Sequence, residues 1–293
     1  VKVAVFGATG TIGRPLVPLL AEQHDVVAVS RSAHDGGAAP RVTWAVADAS
    51  EAESVRAALD GVEAVYYLVH SLGSADFEQR DLRAAETVAA EAERAGVRRL
   101  VYLGGLGDEA AELSPHLRSR GETGRRLAGG SVPVTTLRAA MVVGPGSAAF
   151  DTIVALVDRL PAMICPRWVS SPTQPIALGD VLRYLVRVID LDETSGETFD
   201  VGGPDVMTYR EMIERIGRLR GKRPLIVEVP VLTPRLSSYW LHLVTPVNAS
   251  VARPLIEGLR NPTVARDERI RGLVPFELTP FDEAARQTLA ARP

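Results

Sequence analysis

Cysteine is nearly absent from this chain of 293 residues: Cys165 stands alone. That excludes an intramolecular disulfide and a thiolate-held metal cluster. Histidine is sparse as well, with His24, His34, His70, His116 and His242 scattered and no close pair in sequence, so no metal centre is expected. Excess positive charge is lacking too. The formal net charge is −3, and nucleic-acid binding, which usually needs a basic face, is not expected. No apolar run reaches the ~18 residues that suggest a membrane-spanning helix. No basic-plus-apolar leader precedes the first strand-like segment, so the expected compartment is the cytosol. A Gly-x-Ser-x-Gly nucleophile elbow and a Walker lysine are both missing. Repeats and low-complexity tracts are absent beyond a small solvent loop, His34–Pro40.

What remains is an ordinary globular composition, 46% apolar and 24% charged, with room for one large α/β domain or a large and a small one. The informative feature is the start. Val1–Phe6 is an apolar run rich in valine, followed at once by Gly7-Ala8-Thr9-Gly10-Thr11-Ile12-Gly13. Such a run suits a buried parallel strand. Glycine accepts positive φ and lets backbone approach a pyrophosphate without an intervening side chain. The helix that follows would aim its N–H groups and positive dipole end at that phosphate. A glycine triplet set between strand and helix is a dinucleotide-site signature; alone it would be weak.

Strand-like segments recur at Val26–Ser30, Val42–Val46, Val62–Val69, Arg99–Leu103 and Val132–Leu137. Helix-like stretches alternate with them, clearest over Asp76–Ala95, where Leu82, Ala85, Val88, Ala89 and Ala92 keep helical spacing and Gly96 is the stop. Arg14–Glu22 reads as the helix after the glycine turn, with Pro18 expected to shorten or bend it. This alternation predicts an α/β, Rossmann-type doubly wound parallel sheet. Past Gly144 the pattern changes. Ala148–Leu160 and Asp180–Asp190 read as helices, the latter capped by Asp180, then Thr198–Val201 as a strand and Thr208–Leu219 as a helix. The expected organisation is a dinucleotide-binding domain over 1–202, with an insert near 147–175 facing the substrate cleft, and a small substrate-covering region over 203–293.

The strand–GATGTIG–helix start, Leu137–Gly146 and Gly196–Pro204 resemble the extended and atypical short-chain dehydrogenase/reductases. Tyr66–Ser71, Leu113–Arg120 and Leu232–Ser238 are similar to the NmrA/YbjT-like NAD(P)H-binding proteins in particular. The resemblance implies fold and cofactor class, and says little of the substrate. It places cofactor contacts on Gly7, Thr9, Gly10, Thr11, Ile12 and Gly13, and adenine-side contacts on Arg31, Ser32, Asp48 and Ala49. An NAD-preferring site carries an acid after the second strand to accept from the ribose 2′-OH. Arg31 stands there instead; a guanidinium cannot accept but suits a 2′-phosphate. NADP(H) is therefore expected over NAD(H). Asp48 reads equally well as contact to the adenine amino group or as cap of a helix at Ala49–Leu59. His70 and Ser71 are expected beside the cofactor ribose, and Ala139 and Met141 beside the nicotinamide amide.

The family's usual catalytic residues are missing. Where a Ser or Thr would follow the fifth strand stands Leu103-Gly104-Gly105-Leu106-Gly107, and where Tyr-x-x-x-Lys would fall stands His116-Leu117-Arg118-Ser119-Arg120. The i, i+4 spacing keeps His116 and Arg120 on one helix face. His116 then reads as a substitute general acid and Arg120 as an electrostatic group; a plain turn-capping role for His116 stands beside that. Phe150, Leu156, Leu160, Met163, Cys165 and Trp168, with Leu236, Tyr239, Trp240, Leu243 and Val244, either wall an apolar cleft or form the core of the small region; Tyr239–Val244 also suits contact with a membrane surface. The expectation is an NADP(H)-dependent oxidoreductase acting on a small, mostly apolar carbonyl, enone or quinone compound. The alternative is a non-catalytic NADP(H)-binding regulator or assembly factor. Either is expected as monomer or homodimer.

Overall fold

The computed structural model describes residues 1–34, 39–71, 76–107, 113–229 and 260–292. Seven strands form one parallel sheet: β1 (Lys2–Phe6), β2 (Asp25–Ser30), β3 (Val42–Val46), β4 (Ala64–Tyr67), β5 (Arg99–Gly105), β6 (Val134–Ala139) and β11 (Thr198–Val201). Their spatial order is β3-β2-β1-β4-β5-β6-β11. The chain winds outward in one direction from β1 to β3, then crosses back to β4 and winds the other way. Ligand crevices in such sheets open at the carboxyl ends of the two strands where the order reverses, here β1 and β4, with Phe6 in register with Tyr67.

Apolar runs explain why the sheet is buried on both faces. Alternate side chains of β1 enter separate cores: Val3 and Val5 pack with helix α1 (Gly13–Ala21) and helix α6 (Leu178–Val188), while Ala4 and Phe6 pack with α2 (Ala52–Ala58) and α3 (Phe77–Arg94). The pleat puts successive residues on opposite faces, and a continuous apolar strand is what a sheet covered on both sides requires. Helix α4 (Pro115–Leu127) joins the second face through Leu127.

A third core lies beyond the sheet. It draws on α5 (Ala148–Arg159), β8 (Ala162–Pro166), α7 (Tyr209–Leu219), β13 (Leu225–Val229) and α9 (Phe281–Ala290), with Phe150, Met163, Met212, Ile226 and Phe281 at its centre. It therefore takes segments from both sides of residue 202. Strands β8 and β13 pair in parallel, a pairing the proline-rich sequence does not suggest. Phe150 and Met163 are buried here, and Leu156, Leu160 and Cys165 pack against the same cluster: they are core. Leu236, Tyr239, Trp240, Leu243 and Val244 lie outside the described residues, as does the proposed membrane-touching segment, and the Trp168 side chain is likewise not described.

Two local expectations are corrected. Asp180 is not the N-cap of α6; Ala177 is. Asp180 instead sits in the first turn and accepts from the Thr279 backbone N–H at 2.7 Å and from the Thr279 hydroxyl at 3.1 Å. A tertiary partner has taken the carboxylate that a local rule would spend on capping. Asp48 is likewise not the cap of α2, whose N-cap is Glu51. Pro18 is accommodated inside α1, which runs through it to Ala21.

Candidate functional site

The glycine turn is shaped by backbone contacts. Gly7 sits at φ +88°, where a Cβ would lie 2.9 Å from the Leu68 carbonyl oxygen. A Cβ on Gly13 would lie 2.2 Å from the Gly7 carbonyl oxygen. Both glycines are thus demanded by the protein's own packing. Gly10 differs: a Cβ there would meet only the Gly7 oxygen, at 3.2 Å. Its other side faces a cavity of about 480 Å³ lined by the turn, by the ends of β4, β5 and β6, and by α4. Thr11 ties the turn across that cavity, donating to the Gly146 carbonyl at 3.0 Å.

Of the residues singled out in the sequence, Gly7, Gly10, Thr11, Ile12, Gly13, His70, His116, Arg120, Ala139 and Met141 line this one cavity. Thr9, Arg31, Ser32, Asp48, Ala49 and Ser71 do not. Arg31 and Ser32 are exposed just past β2. Asp48 follows β3, its carboxylate accepting from the Ser50 N–H at 2.8 Å and the Ser50 hydroxyl at 2.6 Å. Those hydrogen bonds, with a contribution from the Arg31 charge, hold Asp48 below the usual carboxylate range. Arg31 and Asp48 follow the adjacent strands β2 and β3, at the edge where the sequence reading put the adenosine.

Gly104 and Gly105 have a structural reason. A Cβ on Gly105 would stand 3.1 Å from the Leu117 side chain and 3.6 Å from that of Arg120. The absence of side chains here lets α4 close on β5. Arg120 fills the space: its Nη2 donates to the Leu103 carbonyl, and its guanidinium lies 4.9 Å over the Tyr102 ring. The Tyr102 hydroxyl in turn donates to the Arg120 carbonyl at 2.8 Å. Ser114, not His116, caps α4, accepting from the Leu117 N–H at 3.3 Å.

His70 and His116, far apart in sequence, stand with ring centroids 5.1 Å apart. His70 Nδ1 is 2.6 Å from Asp81 Oδ2, and Asp81 Oδ1 accepts from the Ser71 N–H at 2.8 Å. Asp81 is 1% exposed. The sequence reading passed over it, yet a signal exists: Asp81 shares the buried face of α3 with Ala84, Ala85 and Val88, an acid on an apolar stripe. Burial pushes the His70 pKa down against the upward pull of Asp81. Burial, with His70 and Arg120 adding to it, pushes His116 down to about 3, so at neutral pH it is an uncharged imidazole. Three buried nitrogens on this cavity have no hydrogen-bond partner among the described residues: His70 Nε2, His116 Nδ1 and Arg120 Nη1. Buried polar groups are normally satisfied, so these mark where a ligand's polar atoms fit. No group of His, Cys, Asp and Glu able to hold a metal occurs among the described residues, and none of the described helices is long and apolar enough to cross a membrane.

Comparison with known proteins agrees with the Rossmann-type fold. Residues 7–127 match a family model described as NAD(P)H-binding. The chain is 26% identical over 239 residues to the mitochondrial NADH dehydrogenase (ubiquinone) 1 alpha subcomplex subunit 9 of Arabidopsis thaliana, covering 77% of this chain and 60% of that one. It thus spans under two thirds of that relative's length. Photosystem II assembly factor Ycf39 of Synechocystis is 24% identical, over 80% of this chain and 72% of the relative. A Streptomyces griseus protein named (4-alkanoyl-5-oxo-2,5-dihydrofuran-3-yl)methyl phosphate reductase is 28% identical, over 77% and 76%. Among solved structures, the Citrobacter triphenylmethane reductase complexed with NADP(H) superposes with TM-score 0.76 at 18% identity, covering 98% of this chain and all of that one. The fold, with its crevice at the β1–β4 reversal, is Rossmann-type, and its first half carries the NAD(P)H-binding match. Over that span the chain is similar to NAD(P)H-binding proteins of the atypical short-chain dehydrogenase/reductase, NmrA-like kind.

Proposed function

We propose that the protein is an NADP(H)-preferring oxidoreductase acting on a small, mostly apolar carbonyl, enone or quinone compound. The observation that carries this reading is the cavity itself: glycine turn on one side, Leu68, Leu117 and Met141 among its walls, and three unpartnered nitrogens within. Gly7–Gly13 would hold the pyrophosphate, Ala139 and Met141 the nicotinamide amide, and Arg31, Ser32, Asp48 and Ala49 the adenosine end. Residues 203–293 and the insert near 147–175 would cover the substrate. When bound, the nicotinamide supplies or accepts a hydride. The chain itself must orient the substrate, exclude water and meet the charge that develops on the substrate oxygen. Arg120 supplies a fixed positive charge there, and His116, uncharged, a hydrogen bond.

No side-chain hydroxyl stands at Gly104–Gly105 or at position 116. Tyr209 also lines the cavity, but its hydroxyl is engaged by Thr173 and Thr263. Such a site suits an acceptor whose carbon takes hydride without a strong acid. A relative named for reducing a 5-oxo-2,5-dihydrofuran, an unsaturated carbonyl compound, supports that choice. NADPH consumption against a panel of enones, quinones and simple carbonyls is expected to be fastest with the conjugated compounds. Consumption with none of them would favour the second reading, a dinucleotide-binding assembly factor or subunit, which the relatives named as such support.

Arg31 tests the cofactor preference. A charge-assisted hydrogen bond contributes about 1.5–3 kcal/mol. Arg31→Ala is therefore expected to weaken NADPH by roughly 10–100-fold and leave NADH within a few-fold, measured by calorimetry. Equal losses for both would show that Arg31 does not read the 2′-phosphate.

A further inference from the structure

Asp81 carries no role in the reading so far, and it is unusual: a carboxylate 1% exposed, bonded at both oxygens, on the buried face of α3. A buried carboxylate costs several kcal/mol of desolvation unless it is well paired. Its partners are His70 Nδ1 at 2.6 Å and the Ser71 N–H at 2.8 Å. An acceptor-only group facing Nδ1 fixes the tautomer: the proton sits on Nδ1, and the lone pair of neutral His70 sits on Nε2. That Nε2 is buried, lacks a partner among the described residues and belongs to a side chain on the cavity wall. Carboxylate, imidazole and vacant Nε2 repeat the general logic of an oriented base.

We infer that His70, oriented by Asp81, is the proton-transfer residue of this site, with Nε2 the atom that exchanges a proton with the substrate oxygen. The inference rests on the oxidoreductase reading above. In the reducing direction the imidazolium Nε2–H bond breaks, its electron pair stays on Nε2, and an O–H bond forms on the substrate, whose new C–H bond takes its electron pair from NAD(P)H. His70 is left neutral, its Nδ1–H still donated to Asp81, and a solvent proton restores the Nε2–H bond. In the oxidising direction the same nitrogen accepts the proton. Asp81 is a positioning residue: it touches no reacting atom and acts by holding tautomer and charge.

The groups facing His70 settle why it, and not His116, fills this role. Asp81 from α3 stabilises its imidazolium, while Arg120 from α4 opposes it. His116, also on α4, has no carboxylate bonded to it among the described residues and lies beside both the His70 ring and the Arg120 cation. Phe77 stands edge-on to the His70 ring at 6.4 Å between centroids. Protonating His116 would place a cation beside the Arg120 guanidinium; protonating His70 creates an ion pair with Asp81.

His70→Asn places an amide nitrogen near the Nδ1 position, so the bond to Asp81 survives while Nε2 is lost. Its turnover at saturating NADPH is expected to fall roughly 10²–10⁴-fold, with the melting temperature little changed. In the parent, the rate of substrate reduction is expected to fall as pH rises through the His70 pKa, because the acid form is consumed. Asp81→Asn keeps an acceptor but removes the charge, so it should move that limb about one unit or more to lower pH. A second readout needs neither cofactor nor turnover: imidazole ¹⁵N shifts in the parent should report His70 protonated at Nδ1, with its titration displaced in Asp81→Asn. Parent-like turnover in His70→Asn, an unmoved limb in Asp81→Asn, or an Nε2–H tautomer in the ¹⁵N spectrum would each overturn the assignment. Absence of turnover by the parent with any acceptor, alongside the expected tautomer, would instead overturn the oxidoreductase reading and the proton-transfer role with it, leaving the dyad as structure.

Discussion

Gly10→Val is expected to abolish measurable binding of NADPH and NADH alike, a loss of about 100-fold or more, while the protein still folds. The basis is the difference between the glycines of one turn. A Cβ on Gly10 meets a single protein atom, the Gly7 oxygen at 3.2 Å, and otherwise points into open space. Nothing in the protein's own packing needs glycine there; a closely approaching phosphate does. Branched γ-carbons would occupy that approach. Gly13→Val makes the contrast. Its Cβ would lie 2.2 Å from the Gly7 oxygen and 2.8 Å from the Ala8 Cα, atoms of backbone that cannot swing aside. Overpacking of that kind costs about 3 kcal/mol or more, so Gly13→Val should lose stability as well as binding. Calorimetry with each cofactor and a thermal melt of each variant separate the two. Normal binding by a folded Gly10→Val would move the cofactor away from this turn.

The sheet was readable because its signals are local. Valine-rich runs ending in glycine or polar residues become strands wherever both faces are covered, and β2, β3 and β11 lie within a residue of their predicted spans. Helix α3 follows from its apolar spacing and ends at Arg94, with Ala95 its C-cap just before Gly96. Strand β4 is shorter than predicted, Ala64–Tyr67; apolarity continues at Val62 and Val69, but the ladder with β1 covers only those four residues. The small core was not readable as a unit, because β8 and β13 meet across a long stretch of chain and proline obscures their pattern. The site divides in the same way. The glycine turn declares itself locally, whereas the nearness of His70 to His116 depends on Gly104 and Gly105 admitting α4 against β5. Asp81 was missed because an acid on a helix is usually solvated, and only its companions Ala84, Ala85 and Val88 mark that face as buried.

Arg120→Met is expected to lower turnover roughly 10²–10³-fold, the loss typical of removing a preorganised electrostatic donor, without lowering the melting temperature. Arg120 is stacked on Tyr102 and donates to the Leu103 carbonyl, but its Nη1 is buried with no partner among the described residues. Leaving part of a guanidinium unsatisfied inside a protein is unfavourable. Methionine fills similar volume and bends to suit the gap, so the fold should tolerate or gain from the change, and function should carry the loss. Because Arg120 lines the cavity proposed for the cofactor, NADPH affinity should fall with turnover. Arg120→Lys keeps the charge but neither the planar fork that reaches Leu103 nor the stack on Tyr102, so it should restore only a small part of the activity. Steady-state kinetics, cofactor titration and a thermal melt on the two variants decide the matter. Retained turnover with a sharply lowered melting temperature would make Arg120 a strut between β5 and α4. Lost turnover at an unchanged or raised melting temperature would show that its buried charge is kept for the ligand.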